Sequence, residues 1–307
     1  MPAEAGNPQL GWNLARDIGE VLEYHFMVNA LLAGSIVAVM AGVVGWMMVL
    51  RRETFAGHTL AMMAFPGASA AALIGVATAW GYFCFCGLGA LAIGRFGGER
   101  RSWSEESAGI GAVQAGALAA GFLFLSLYGG VLGDLESLLF GNLLGVSNAE
   151  VLSLAAVAVV VLALLGVLGR PLLFASVDPD VAGARGVPVR AISTAFLLVL
   201  GLAVAATSQI TGPLLVFALL VVPAACAQVI SARPALSLAL SIAFGLLITW
   251  LGLGISYFSV YPSGFFIATI SFALYVIVRI IVAGVAAGRS QPRQASGAPA
   301  LTDGVIA

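Results

Sequence analysis

The stretch VLSLAAVAVVVLALLGVLGR (151–170) is an uncharged apolar run closed by a single arginine. About 20 apolar residues cross the hydrocarbon core of a bilayer as one helix, so the run reads as a membrane span. The same punctuation recurs along the chain. All 13 basic residues are arginine, and all but Arg16 fall in alternate gaps between such runs. Arg51 and Arg52 follow the first run. Arg95, Arg100 and Arg101 follow the third. Arg170, Arg185 and Arg190 bracket the gap after the fifth, Arg233 follows the seventh, and Arg279, Arg289 and Arg293 close the last. The gaps in between carry almost no positive charge. Basic residues collect on the cytoplasmic side of polytopic proteins, so these gaps are expected inside.

Composition supports that class. The chain has 307 residues, 61% apolar and 9% charged, with a mean hydropathy of +1.07. Soluble domains carry about 25% charged residues. A net charge of −1 argues against nucleic acid as a partner. The opening MPAEAGNPQLGWNL lacks a basic n-region and a small-residue cleavage pattern, so the first span is expected to act as its own insertion signal. Cys84, Cys86 and Cys226 all lie inside apolar runs. An odd set of this kind is no disulfide framework, and the three read as small packing residues.

Nine candidate spans follow from the runs: 26–50, 58–78, 80–97, 108–131, 149–169, 190–208, 212–232, 234–255 and 262–284. The fold class is therefore all-α, a polytopic transmembrane bundle of about nine spans, with eight or ten as alternatives. The amino end is expected outside and the carboxyl end in the cytoplasm. Residues 1–25 form an extracytoplasmic segment, 26–285 the membrane domain, and 286–307 a polar cytoplasmic tail without fixed structure. Spans two and three require a tight hairpin, and the pair meeting near Gln209 to Gly212 is either two crossings or one broken helix. Gly34, Ala38 and Gly42, and likewise Gly109, Ala112 and Gly116, recur at helical spacing, a pattern that lets helices pack closely in lipid. Pro66-Gly67 and Pro223 are expected to kink or interrupt their spans.

The spans hold little chemistry of their own. Their interior polar groups are neutral, Asn29, Gln114 and Gln228 among them. Ion-coupled carriers place costly acids in mid-membrane, and none stands out here. No His-Glu-x-x-His, Gly-x-Ser-x-Gly or Walker A sequence occurs, so neither an enzyme nor a resident cofactor is expected. Energy for uphill movement must then come from another polypeptide. His25, Glu20, Glu23, Asp134 and Glu136 lie near the outer ends, either as a cation-attracting mouth or as a solvated rim.

The gap after the fifth span reads FASVDPDVAGARGVPVR (174–190). Asp178 is placed to cap a short helix whose first turn holds Pro179 and Asp180. Gly186 supplies a stop and Pro188 prevents continuation. The result is a surface helix between two spans, either an ordinary connector or a peg for a partner's groove.

This segment, followed by TGPLLVFALLVVPAACAQ (211–228), resembles the zinc, manganese and iron permeases of ATP-binding cassette importers. It is more distantly similar to the iron-siderophore and vitamin B12 permeases. ESLLFGNLLGVSNAEV (136–151) and LRRETFAGHTLAMMAFPGASAA (50–71) match the same family in order, so the resemblance covers roughly 25–285. It implies a permease subunit of the bacterial plasma membrane that pairs with a second permease copy. An ATP-binding subunit would dock in the cytoplasm, and an extracytoplasmic binding protein would deliver the metal. On that model Asp178, Pro179, Asp180, Ala182 and Gly186 form the coupling helix.

One site departs from the family pattern. Members often carry Gly-Asp-x-x-x-His opening the second span, as groups that contact the metal in transit. Here the stretch is GHTLAM (57–62), so His58 replaces the acid and Met62 the histidine. Four residues apart, the two share a helix face. They either offer an imidazole and a thioether to a passing cation, or Met62 packs and His58 hydrogen-bonds near Arg51 and Arg52. The expected function is uptake of a divalent transition metal, zinc or manganese before iron. The alternatives are uptake of a metal chelate or small organic cofactor by the same architecture, and a structural or receptor-like membrane protein that transports nothing.

Overall fold

The structure is a computed structural model that describes residues 19–20, 23–96, 103–128, 141 and 143–289. Most of 1–25 and 286–307, together with Arg100, Arg101, Asp134 and Glu136, lies outside the described residues. Regular structure among the described residues is helical. In chain order the helices are α1 (His25–Leu50), α2 (Thr54–Ile74), α3 (Thr78–Phe96), α4 (Trp103–Tyr128), α5 (Asn148–Val177), α6 (Pro179–Ala184), α7 (Val189–Thr211), α8 (Pro213–Ile230), α9 (Pro234–Tyr257) and α10 (Ser263–Arg289), with a 3-10 turn at Leu143–Gly145. Eight of these are long and apolar enough to cross a membrane. The ninth long helix, α3, is not among the eight; it packs between α2 and α7.

The bundle has an inner and an outer set. Half or more of the apolar windows of α1, α2, α7 and α8 are buried, whereas α4, α5 and α10 leave most of theirs open to lipid. Close packing of the inner set rests on absent side chains. A Cβ on Gly45 would strike the carbonyl oxygen of Leu220, and Gly67 and Gly81 would each strike the other's carbonyl, so α1 meets α8 and α2 meets α3 backbone to backbone. The stripe Gly34, Ala38 and Gly42 packs on α9 against Thr249, Gly245 and Ile242, as its spacing predicts. The second stripe does not follow that expectation. Ala112 and Gly116 on α4 are exposed, and nothing lies within 4 Å of a Cβ placed on Gly116.

The neutral polar groups in the spans join elements far apart in sequence. The Asn29 side-chain amide donates to the Val146 carbonyl at 3.2 Å. The Gln228 amide donates to the Trp46 carbonyl at 2.8 Å, and Trp46 Nε1 donates to Ser237 Oγ at 3.0 Å. Thr59 Oγ1 donates to Gln114 Oε1 at 3.0 Å, tying α2 to α4. Each bond satisfies a group that lipid cannot. Cys86 and Cys226 are buried and free, but Cys84 is exposed, so only two of the three cysteines serve packing.

Several helix limits differ from the sequence reading. Helix α5 does not end at 169 but continues through Arg170 and Pro171 to Val177. Its 30 residues rise about 45 Å at 1.5 Å per residue, well beyond the roughly 30 Å of a hydrocarbon core. Its start is fixed by a capping box between Ser147 and Glu150. Helices α2 and α8 run unbroken through Pro66-Gly67 and Pro223, so those prolines do not divide their spans. Prolines are tolerated inside membrane helices because neighbours satisfy the freed carbonyls. The α7–α8 connection is a single residue, Gly212, at φ +73°.

Candidate functional site

The last turns of α5 lead into α6. Asp178 is its N-cap and accepts from the Val181 amide at 3.0 Å, Pro179 takes the first position, and Asp180 lies in the first turn. Pro at that position sacrifices an amide that has no helical partner anyway, and an acid there suits the positive end of the helix dipole. Gly186 sits at φ +83°. Its amide donates to Gly183 at 2.9 Å and the Val187 amide donates to Ala182 at 3.0 Å, the paired bonds of a Schellman stop.

Burial along α6 is one-sided. Ala182 is fully buried, while Pro179, Asp180, Val181, Gly183, Ala184 and Arg185 are exposed. Its packing runs mainly through α5 and α7, the two arms that hold it. The geometry is a short, firmly capped lug, seated by one alanine and otherwise presented outward. All five residues that the sequence assigned to it are on or next to this helix.

A second arrangement runs along α2. From Ala56 to Ser69 every residue is buried except His58 and Met62. Those two are one turn apart, and Pro66 continues the same face. They are therefore the two half-buried positions on one face of an otherwise closed stretch. His58 makes an edge contact with Phe217 of α8, ring centroids 4.8 Å apart. Its Nδ1 is buried without a hydrogen-bond partner. An unpaired buried ring nitrogen is a costly arrangement. Among the described residues no three His, Cys, Asp or Glu side chains converge on a point that would hold a metal ion. His25 is exposed at the start of α1.

Sequence reasoning missed a third cluster. Arg51 at the end of α1 is buried, with 7% of its side chain exposed. Its guanidinium donates to Glu53 Oε1 from Nε and Nη2, to Ser176 Oγ on α5 at 3.1 Å, and to Ser193 Oγ on α7 at 2.7 Å. It also lies over the Phe196 ring, 5.3 Å from the centroid. The only sequence signal was an arginine at a span end, which reads as a topology marker.

The chain has clear relatives. Residues 23–282 match the model of the ABC 3 transport family. It is 32% identical over 81% of its length, and 83% of the relative, to the manganese transport system membrane protein MntC of Halalkalibacterium halodurans. In structure it is similar to a chain of PsaBC from Streptococcus pneumoniae, solved in complex with a Fab, with a TM-score of 0.75, 28% identity, and coverage of 86% of this chain and 94% of that one. A metal-chelate type ABC transporter in an inward-facing conformation shares the fold at a TM-score of 0.67 and 15% identity, covering 90% of this chain and 91% of that one.

Proposed function

The chain belongs to the ABC 3 transport family, and on that premise we propose that it imports a divalent transition metal, manganese first and zinc second, driven by ATP hydrolysed on a separate subunit. It is a multi-pass protein of the bacterial plasma membrane and a transporter component, not an enzyme. The observation that carries the reading is α6: a capped lug between two membrane helices, exposed on all but Ala182, has the form needed to enter a partner's cleft. Closure of the ATPase pair on nucleotide would push α6, and α5 and α7 would pass the movement inward. The working unit is two copies of this chain, two ATPase subunits, and a binding protein at the outer face.

Manganese is placed first because relatives such as MntC bear its name. The residue types at 58 and 62 modify that choice. Manganese prefers oxygen donors, while imidazole suits zinc and iron and a thioether suits softer ions. His58 and Met62 in place of an acid and a histidine therefore shift preference toward zinc. A second reading, uptake of a chelated metal or small organic cofactor, is favoured by the lack of any three-ligand cluster among the described residues. A chelate brings its own ligands and needs only a shaped path.

The test is ATP-dependent accumulation in vesicles holding the full complex, with manganese, zinc and ferrous ions supplied singly and in competition. The proposal expects manganese or zinc to stimulate hydrolysis and accumulate. Stimulation by a metal chelate but by none of the free ions would select the second reading. No ATP-driven accumulation of any of them would refute both.

A further inference from the structure

We propose that Arg51 is the positioning residue that transmits movement of α6 to α2, the helix that carries His58 and Met62, by bolting both arms of the coupling hairpin to the turn between α1 and α2. The inference rests on the coupling role assigned to α6 above. Three observations carry it. First, the partners of Arg51 bracket α6: Ser176 lies two residues before the N-cap Asp178, and Ser193 lies five after Pro188. Ser176 spends its own hydroxyl proton on the Leu172 carbonyl at 2.5 Å, which leaves its oxygen to accept from Arg51. One planar guanidinium therefore spans α5 and α7, the helices through which α6 is chiefly held.

Second, the same guanidinium grips Glu53, the N-cap residue of α2, at 2.8 Å. His58 follows five residues later on that helix. Third, the backbone between the two charged partners is held in a form that an arginine rarely adopts. Arg52 is the one non-glycine residue with positive φ among those described, at +61°. The Arg52 amide donates to Val49 and the Glu53 amide to Met48, a Schellman turn closed without glycine. Strain of this kind persists only where the surroundings over-determine it. Across this turn Glu53 pairs with Arg51, whose guanidinium reaches Ser176 on α5 and Ser193 on α7.

The choice of residue type also bears on the role. A buried ion pair is a poor source of stability compared with apolar packing. Rigid forked donors do fix relative position. A cation that ties three helices together while seated on Phe196 serves geometry better than it serves burial.

The experiment uses the full complex in vesicles, with Cys84→Ser to remove the exposed thiol and a fluorophore on Phe55→Cys at the start of α2. Vanadate trapping of the ATPase subunits is the trigger, so the readout does not depend on knowing the substrate. In the parent the label should respond to trapping. In Arg51→Met the response should vanish while basal hydrolysis persists, and manganese uptake per ATP should fall on the order of tenfold, the scale of a typical coupling between sites. Arg51→Lys should restore part of both. If Arg51→Met fails to insert, Ser176→Ala combined with Ser193→Ala keeps the charge pair and the Phe196 contact but removes the hydrogen bonds to α5 and α7; it should show a loss of the same kind. An unchanged label response in either inserted variant overturns the proposal. Gly186→Ala separates the two levels: if it abolishes the response and the Arg51 variants do not, the bolt fails and the coupling role of α6 stands. If Gly186→Ala and the Arg51 variants all leave response and uptake intact, the role of α6 fails as well.

Discussion

At Gly186 the backbone takes φ +83°, and nothing lies within 4 Å of an added Cβ. A side chain there meets no neighbour and suffers only the left-handed conformation, about 1–2 kcal/mol. Gly186→Ala should therefore insert normally, loosen the end of α6, and lower metal uptake per ATP hydrolysed; equal ratios in variant and parent would remove Gly186 from the mechanism. Asp178→Ala loses the bond to the Val181 amide, worth about 1 kcal/mol as an N-cap, and should weaken coupling in the same assay by a smaller factor. His58→Ala should slow metal uptake while the ATPase subunit still co-purifies in full amount; unchanged kinetics would return His58 to a packing role. The residues of α6 were legible in sequence because caps and stops act over three or four positions. The Arg51 cluster was not, because its partners stand 125 and 142 positions away and only the fold brings them together.

Helices show the same division between local and distant causes. The apolar runs located the spans, since length and hydropathy are properties of the segment itself. Helix α5 was read short because Arg170 and Pro171 resemble an ending; the proline is carried within the helix, and the extra turns lead directly into α6. The two small-residue stripes look alike in sequence, yet one packs on α9 and the other faces outward on α4. Which stripe finds a neighbour depends on helix order and not on spacing. The meeting of Gly67 with Gly81 offers a direct check on helix approach. A methyl on Gly81 would enter the Gly67 carbonyl, so Gly81→Ala must part α2 from α3. Overpacking of this kind costs about 1–3 kcal/mol. A lower thermal midpoint in detergent is expected, with no gain in stability under any lipid condition.

For the molecule as a whole, the arginine pattern and the capped lug lead to the same orientation. The α5–α7 connection should face the cytoplasm and the α9–α10 connection the outside. In a Cys84→Ser background, a membrane-impermeant maleimide should label Tyr261→Cys in intact cells, and Arg185→Cys only after the membrane is opened; the reverse pattern would invert the topology. Metal identity is less legible at this scale. The relative MntC is named for manganese, while an imidazole and a thioether, the groups at 58 and 62, suit softer ions, and a pathway exposes only a few atoms to its cargo. The central claim is that α6 is the point where force enters. A photo-activated cross-linker placed at the exposed Val181 in the working complex measures this most directly. A covalent adduct with the ATPase subunit is expected, its yield changing on vanadate trapping. Transport-competent complexes that never join α6 to the ATPase would contradict it.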